Sequence, residues 1–475
     1  MSGYAGFPGS AIRAKLDHPV IDADAHIVEC GFAIDDYMRE IGGPDIFEKW
    51  QKRKPFGFRT KWIWWGAPSG EHTADRAMAM LPRYFASRMD ECGIDFAHLL
   101  TTYGLSGVYH EDEELRVTFC RAVNTLYAEL FRDVRHVLRP VAIIPTYTPA
   151  EAIRELEYAV LELGHTSVMI GTEIRSPWEE VATEAPHLAN FAPNWRSIAH
   201  EAPHDYDPLW QRCVDLGVAP ICHTPGRGMG YRRSPSNYMF NHIGDFATGS
   251  EFFCRSLFFG GVPKRFPTLN FAFLEGGVAW ALTLINDIVE HFEKRNVEAL
   301  ERDLDPAKLD VGLLSELFER FGNERLTGAR IAAAPHGGLS VPARPELFDE
   351  FGASGMTDIP DLADLFCKNF YFGCEADDRM VATAFNRRLN PVGQSLKAMF
   401  GSDIGHWDVM DAASILSEAY SLVDAGLISD ENFKDLTYRN PMNLHLKMNP
   451  AYFKGTAVES AADELLAAGR QVVGR

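Results

Sequence analysis

The chain has 475 residues, with 46 basic against 66 acidic side chains and a formal charge of −20. Its 46% apolar, 24% charged and 12% aromatic content is that of a globular protein and excludes a disordered or fibrous chain. The acidity, with no long basic run, argues against a nucleic-acid partner.

Short apolar runs alternate with longer amphipathic stretches. Eight runs read as strands: 20–28, 95–103, 139–145, 167–174, 218–224, 269–277, 369–375 and 398–406. Between them, 114–131 carries apolar residues at helical spacing, 149–163 opens with Pro149, and 208–217 ends in Gly217. Strands alternating with helices imply parallel pairing through crossovers, and eight such units imply a (β/α)8 TIM barrel of the α/β class. The rival, a doubly wound open sheet, would carry a Gly-rich phosphate turn after its first strand, and DADAHIVEC has no glycine. The expected organisation is a barrel over 20–445, with long inserted loops at 30–94, 225–268 and 291–366, and a helical C-terminal tail at 446–475.

Eight scattered cysteines form no CxxC pair, so reduced thiols and a cytoplasmic location are expected, without a disulfide scaffold or a zinc ribbon. The opening MSGYAGFPGSAIRAK lacks the apolar core of a secretory leader. The longest apolar region, Leu269 to Ile285, is interrupted by Glu275 and two glycines, so no membrane segment is expected.

Barrel enzymes carry their reactive side chains at the C-terminal ends of the strands. Here those ends hold Asp24 and His26, Glu173, His223, Glu275, Glu375, and Asp403 with His406 beyond. Asp24 and His26, two apart on a strand, share a face. Singly, each residue reads as a cap or a satisfied polar group. Together, carboxylates crowded at one mouth repel each other, and either their pKa values rise or a cation compensates them. The set favours a metal centre, with one or two divalent ions per chain.

The segments VIDADAHIVE (20–29), YDPLWQRCVDLGVAPICHTPG (206–226), FPTLNFAFLEGGVAWALTLI (266–285) and FGSDIGHWD (400–408) resemble the amidohydrolase-related branch of the amidohydrolase superfamily. This is the branch of aminocarboxymuconate semialdehyde decarboxylase, and the likeness is to its long members with an acidic DAD-x-H-x-x-E opening. The resemblance implies a metal held by His26, His223 and Asp403, with Asp24 standing where relatives have a first-strand His. It also implies Glu275 in place of a sixth-strand His, and a fourth strand without the carbamylated Lys of some members. Two imidazoles exchanged for carboxylates make a harder site, suited to Mn or Fe beside the family's Zn.

Asp403 is expected to bind metal and accept a proton, His406 to act as a neighbouring proton carrier, and Glu275 to be a ligand or an acid/base. Glu29 reads as a ligand, as a partner of His26, or as the start of a loop. Arg227, Arg232 and Arg233 offer a carboxylate clamp or surface ion pairs. Trp62, Trp64 and Trp65 offer a roof over an apolar pocket or the core of the first insertion. His336, in PHGG, has no strand before it and reads as loop.

The expected function is a metal-dependent hydrolase or lyase, cleaving C–N or C–C bonds or decarboxylating through metal-activated water. Its substrate would be a small or medium organic acid or carbonyl compound. The alternatives are a dinuclear non-haem iron (Fe/Fe or Fe/Mn) monooxygenase on the same barrel, and a metal-free scaffold. A homo-oligomer is expected by analogy with similar barrels.

Overall fold

A computed structural model describes residues 8–52, 65–191, 193–225, 234–339 and 349–473. Among these residues ten strands form in chain order: β1 Ile21–Ile27, β2 Phe96–Thr101, β3 Leu138–Ile144, β4 Ser167–Ile170, β5 Glu173–Pro177, β6 Pro193–Ser197, β7 Pro220–Cys222, β8 Phe271–Phe273, β9 Phe370–Glu375 and β10 Lys397–Gly401. Eight of them build one sheet in the order β1-β2-β3-β4-β7-β8-β9-β10, and every pairing in it is parallel. The strands are buried on both faces, as helices outside a barrel require, and this explains their near-continuous apolar runs.

The eight expected strands all form. The run 167–174, however, divides into two elements. It leaves the barrel after Ile170, and Glu173 opens β5, which pairs antiparallel with β6 in a separate hairpin. Glu173 therefore stands on an appended ribbon and not on a barrel strand.

The barrel seam lies between β1 and the segment following β10. His26 donates its backbone N–H to the Ile404 carbonyl (2.9 Å), and Asp403 donates to that of Asp24 (2.8 Å). Beneath them, one oxygen of buried Asp22 accepts from the N–H groups of Asp24 and Ser402, both at 3.0 Å. The residues that close the fold are thus the neighbours, and in part the members, of the polar cluster at its mouth.

The crossover helices follow the sequence signals. Asp112 caps the helix Glu113–Leu130 by accepting from Leu115 N–H, and Thr148 caps Pro149–Glu157 through Glu151 N–H. Asp207–Leu216 ends at Gly217, whose φ of 64° is a left-handed C-cap. The first insertion folds into the helices Gly31–Lys52, Thr73–Met80 and Pro82–Cys92. At the opposite end from the mouth, Tyr452, Phe453, Val458 and Ala462 of the C-terminal segment pack on Ile21 and Phe96, near the starts of β1 and β2. Among the described residues no helix is long and apolar enough to cross a membrane.

Candidate metal centre

Strand geometry delivers the polar side chains to one place. Asp24 and His26 project from β1 into the interior, and His223 follows β7 by one residue. Glu275 and Asp403 each stand two residues past a strand, in turns with φ of 58° and 52°. A left-handed backbone at a non-glycine residue is strained, and its occurrence at two converging carboxylates is characteristic of a functional site. Gly401 also serves the approach, because a Cβ there would lie 2.8 Å from that of Asp24.

The distances are short. His26 Nε2 lies 3.2 Å from Asp403 Oδ1 and 3.4 Å from Asp24 Oδ1. His223 Nε2 lies 3.1 Å from Glu275 Oε2 and 3.7 Å from Asp24 Oδ1. His406 Nδ1 is 2.8 Å from Asp403 Oδ1, its ring lies 3.9 Å from that of His26, and its Nε2 is 3.2 Å from Thr102 Oγ1. Asp24, His26 and His223 offer one ligand atom each, all within 4.8 Å of one another, and so do His26, Glu275, Asp403 and His406.

These atoms lack ordinary partners. Asp24 Oδ1, both nitrogens of His26, His223 Nε2, Glu275 Oε2 and both Asp403 oxygens are buried without a hydrogen bond. Burial pulls His26 down to about 3 and His223 to about 4, so both imidazoles are neutral. Burial lifts Asp24 to about 6. Burial, with the charges of Asp24, Glu375 and Asp408, raises Glu275 well above the carboxylate range, and burial with Glu275 does the same to Asp403. Neutral imidazoles beside carboxylates that cannot tolerate one another fit a divalent cation, which would supply the missing charge and the missing partners.

A second group adjoins the first. Glu275, Glu375 and Asp408 bring one oxygen each within 4.8 Å of one another. Burial, then Asp408, raises Glu375 to about 8. They line a cavity of about 500 Å³ with Phe246, Asp378 and Trp407. Over the mouth, Trp407 stacks edge-on with Trp65 (5.3 Å) and with His242 (5.5 Å), and Trp65 meets Tyr238 (5.4 Å). Trp65 therefore joins an aromatic cover drawn from three separate segments.

Two residues weighed as site members lie elsewhere. Both oxygens of Glu29 are engaged, accepting from Thr101 Oγ1, Tyr127 OH and the N–H groups of Thr102 (3.2 Å) and Tyr103 (3.0 Å). It braces the loop after β2 and has no share in the converging groups. Glu173 accepts from Thr172 Oγ1 (2.6 Å) and lies 3.9 Å from Arg175. His336 sits in a short 3-10 turn, Pro335–Gly338. Arg227, Arg232, Arg233, Trp62 and Trp64 fall outside the described residues. His242, Trp407 and Asp408 were not singled out from the sequence. The crowding of His, Trp and Asp just past the last strand, in GHWD, was the available signal for the latter two.

The amidohydrolase family model matches residues 21–327, well over half of the sequence, and the chain belongs to that family. A search of curated proteins finds no match. Among solved structures, it is similar to an amidohydrolase from Mycobacterium avium subsp. paratuberculosis K-10, with 17% identity, 90% of this chain and 98% of that one covered, and a TM-score of 0.55. An amidohydrolase II structure aligns at 12% identity over 90% and 99% of the two chains, with a TM-score of 0.50. At these identities the likeness concerns the fold.

Proposed function

We propose that the chain is a metal-dependent hydrolase or lyase of the amidohydrolase superfamily, acting on a small or medium carbonyl compound or organic acid at the barrel mouth. The observation that carries this reading is the set of buried, partnerless ligand atoms on Asp24, His26, His223, Glu275 and Asp403. These five residues would hold the ion. When bound, a divalent ion supplies Lewis-acid polarisation of a carbonyl and makes water a nucleophile near neutral pH.

The protein's own groups do the rest. Asp403 is placed to take a proton at a carboxylate oxygen, and His406 Nδ1, 2.8 Å away, is placed to receive it. Thr102 Oγ1 fixes the far side of that imidazole at 3.2 Å, which orients the ring. Trp407 and His242 line the cavity and pack edge-on with each other, and Trp65 packs on Trp407, an aromatic wall that would limit water on that side.

A second reading, a dinuclear non-haem iron monooxygenase, draws support from Glu275, which is shared between the inner group and the group with Glu375 and Asp408. Elemental analysis of protein purified without added metal separates the two. One zinc or manganese per chain and no iron supports the hydrolase or lyase. Two irons, or iron with manganese, together with O₂ uptake, overturns it. A metal-free protein that takes up no divalent ion on dialysis overturns both.

A further inference from the structure

The cavity beside the metal centre has a charge that the centre itself does not explain. Its lining holds five carboxylates, Glu275, Glu375, Asp377, Asp378 and Asp408, and among the described lining residues there is no Lys or Arg. A metal ion at the inner group compensates Asp24, Asp403 and one oxygen of Glu275. It leaves the three aspartates facing the cavity, with Glu375, which burial and Asp408 hold at about 8 and which a cation seated beside it would draw into its charged form. Glu275 is the link, because its side chain is only 2% exposed, its Oε2 has no hydrogen-bond partner, and it belongs to both groups.

We infer that the substrate carries a protonated amine, or an equivalent organic cation, seated between Glu275, Glu375 and Asp408, while its reacting carbonyl reaches the inner group. This rests on the reading of the mouth as a substrate site. The chemistry of the walls selects an organic cation over a bare metal ion. A metal ion needs a tight oxygen cage and has no use for apolar lining. Here the carboxylates alternate with Phe246, Met380 and the Trp407 indole in a space of about 500 Å³, large enough for a small organic molecule. Carboxylates beside aromatic faces hold an ammonium group by charge-assisted hydrogen bonds and by cation–π attraction. A purely anionic substrate would meet these same carboxylates as like charges.

The test is calorimetric titration of the metal-loaded full-length protein at pH 7 with three probes that share a benzyl group: benzylamine, benzyl alcohol and benzylsulfonate. Benzylamine is expected to bind about tenfold more tightly than the alcohol, and the sulfonate most weakly. Glu375→Gln and Asp408→Asn should each weaken benzylamine by about fivefold while leaving benzyl alcohol unchanged, which controls for folding. Equal binding of the three probes, or preference for the sulfonate, overturns the inference. So does a second Mn²⁺ per chain that is lost in Glu375→Gln. Metal content measured on the same samples keeps the two readings apart. Amine preference in a protein that binds no metal overturns only the hydrolase or lyase reading, and a metal-loaded protein without amine preference overturns only this one.

Discussion

Asp403 shows how a single residue serves several demands. Its N–H closes the barrel seam on the Asp24 carbonyl, its carboxylate meets both His26 and His406, and its backbone is held at a φ of 52°. Without a cation, burial first and then the neighbouring Glu275, Asp408 and Asp24 oppose its ionisation, so the folded chain must hold a proton there at a cost in stability. Asparagine tolerates the left-handed backbone and keeps the shape but not the charge. Asp403→Asn is therefore expected to stabilise chelator-treated protein by about 1–2 kcal/mol, seen as a higher melting temperature, and to lower the melting temperature of the metal-loaded protein. Thermal melts with and without EDTA measure both, and a change of the same sign in the two states contradicts the metal assignment.

At the scale of elements, the seam and the floor of the barrel rest on buried polar groups. Asp22 ties β1 to the turn after β10 by accepting two backbone N–H groups. Asp22→Ala leaves both buried donors unsatisfied and is expected to cost about 2–4 kcal/mol in urea unfolding. On β2, His98 Nε2 lies 2.9 Å from Tyr452 OH and its ring stacks on His445 at 4.6 Å. Burial holds His98 at about 3, below its ordinary 6.5. Between those values the unfolded chain binds the extra proton, so the stability due to neutral His98 is complete above 6.5 and is lost as pH falls. The stability gap between the native protein and His98→Asn should narrow by about 2 kcal/mol from pH 7 to pH 5. A gap independent of pH would show that folding leaves the His98 imidazole at its ordinary pKa.

The whole molecule separates its two tasks along the barrel axis. The mouth gathers the converging carboxylates and imidazoles and the acidic cavity, while the opposite end is sealed by the C-terminal segment around Phe453. Phe453→Ala removes a fully buried ring, and a loss of about 3–5 kcal/mol is expected. Metal content per folded chain should not change, since the cavity created lies at the far end of the strands. Denaturant unfolding and elemental analysis of the same variant check the two halves of this expectation. The tail read as a helical extension is in this sense part of the barrel's floor.

Much of this was legible in the chain. Eight apolar runs spaced by helical stretches are the direct signature of strands buried on both faces, and all eight form. Asp24 and His26 were readable because residues two apart on a strand share a face, and His223, Glu275 and Asp403 because each follows an apolar run. Glu29 was not, since its place in the motif says nothing of the four donors that Thr101, Thr102, Tyr103 and Tyr127 bring from other elements. Nor was Glu173, where the strand ended sooner than its apolar pattern.

The linear pattern of this protein determined its strands, their parallel order and the types of polar side chain at their ends, because burial and backbone periodicity act locally. Only the tertiary structure decided which carboxylates lack a partner and which are already bonded, and that His242, Trp407 and Asp408 share one mouth with residues from the other end of the chain. Hydrogen-bond satisfaction and charge repulsion depend on distances through space, and the order of residues does not specify those distances.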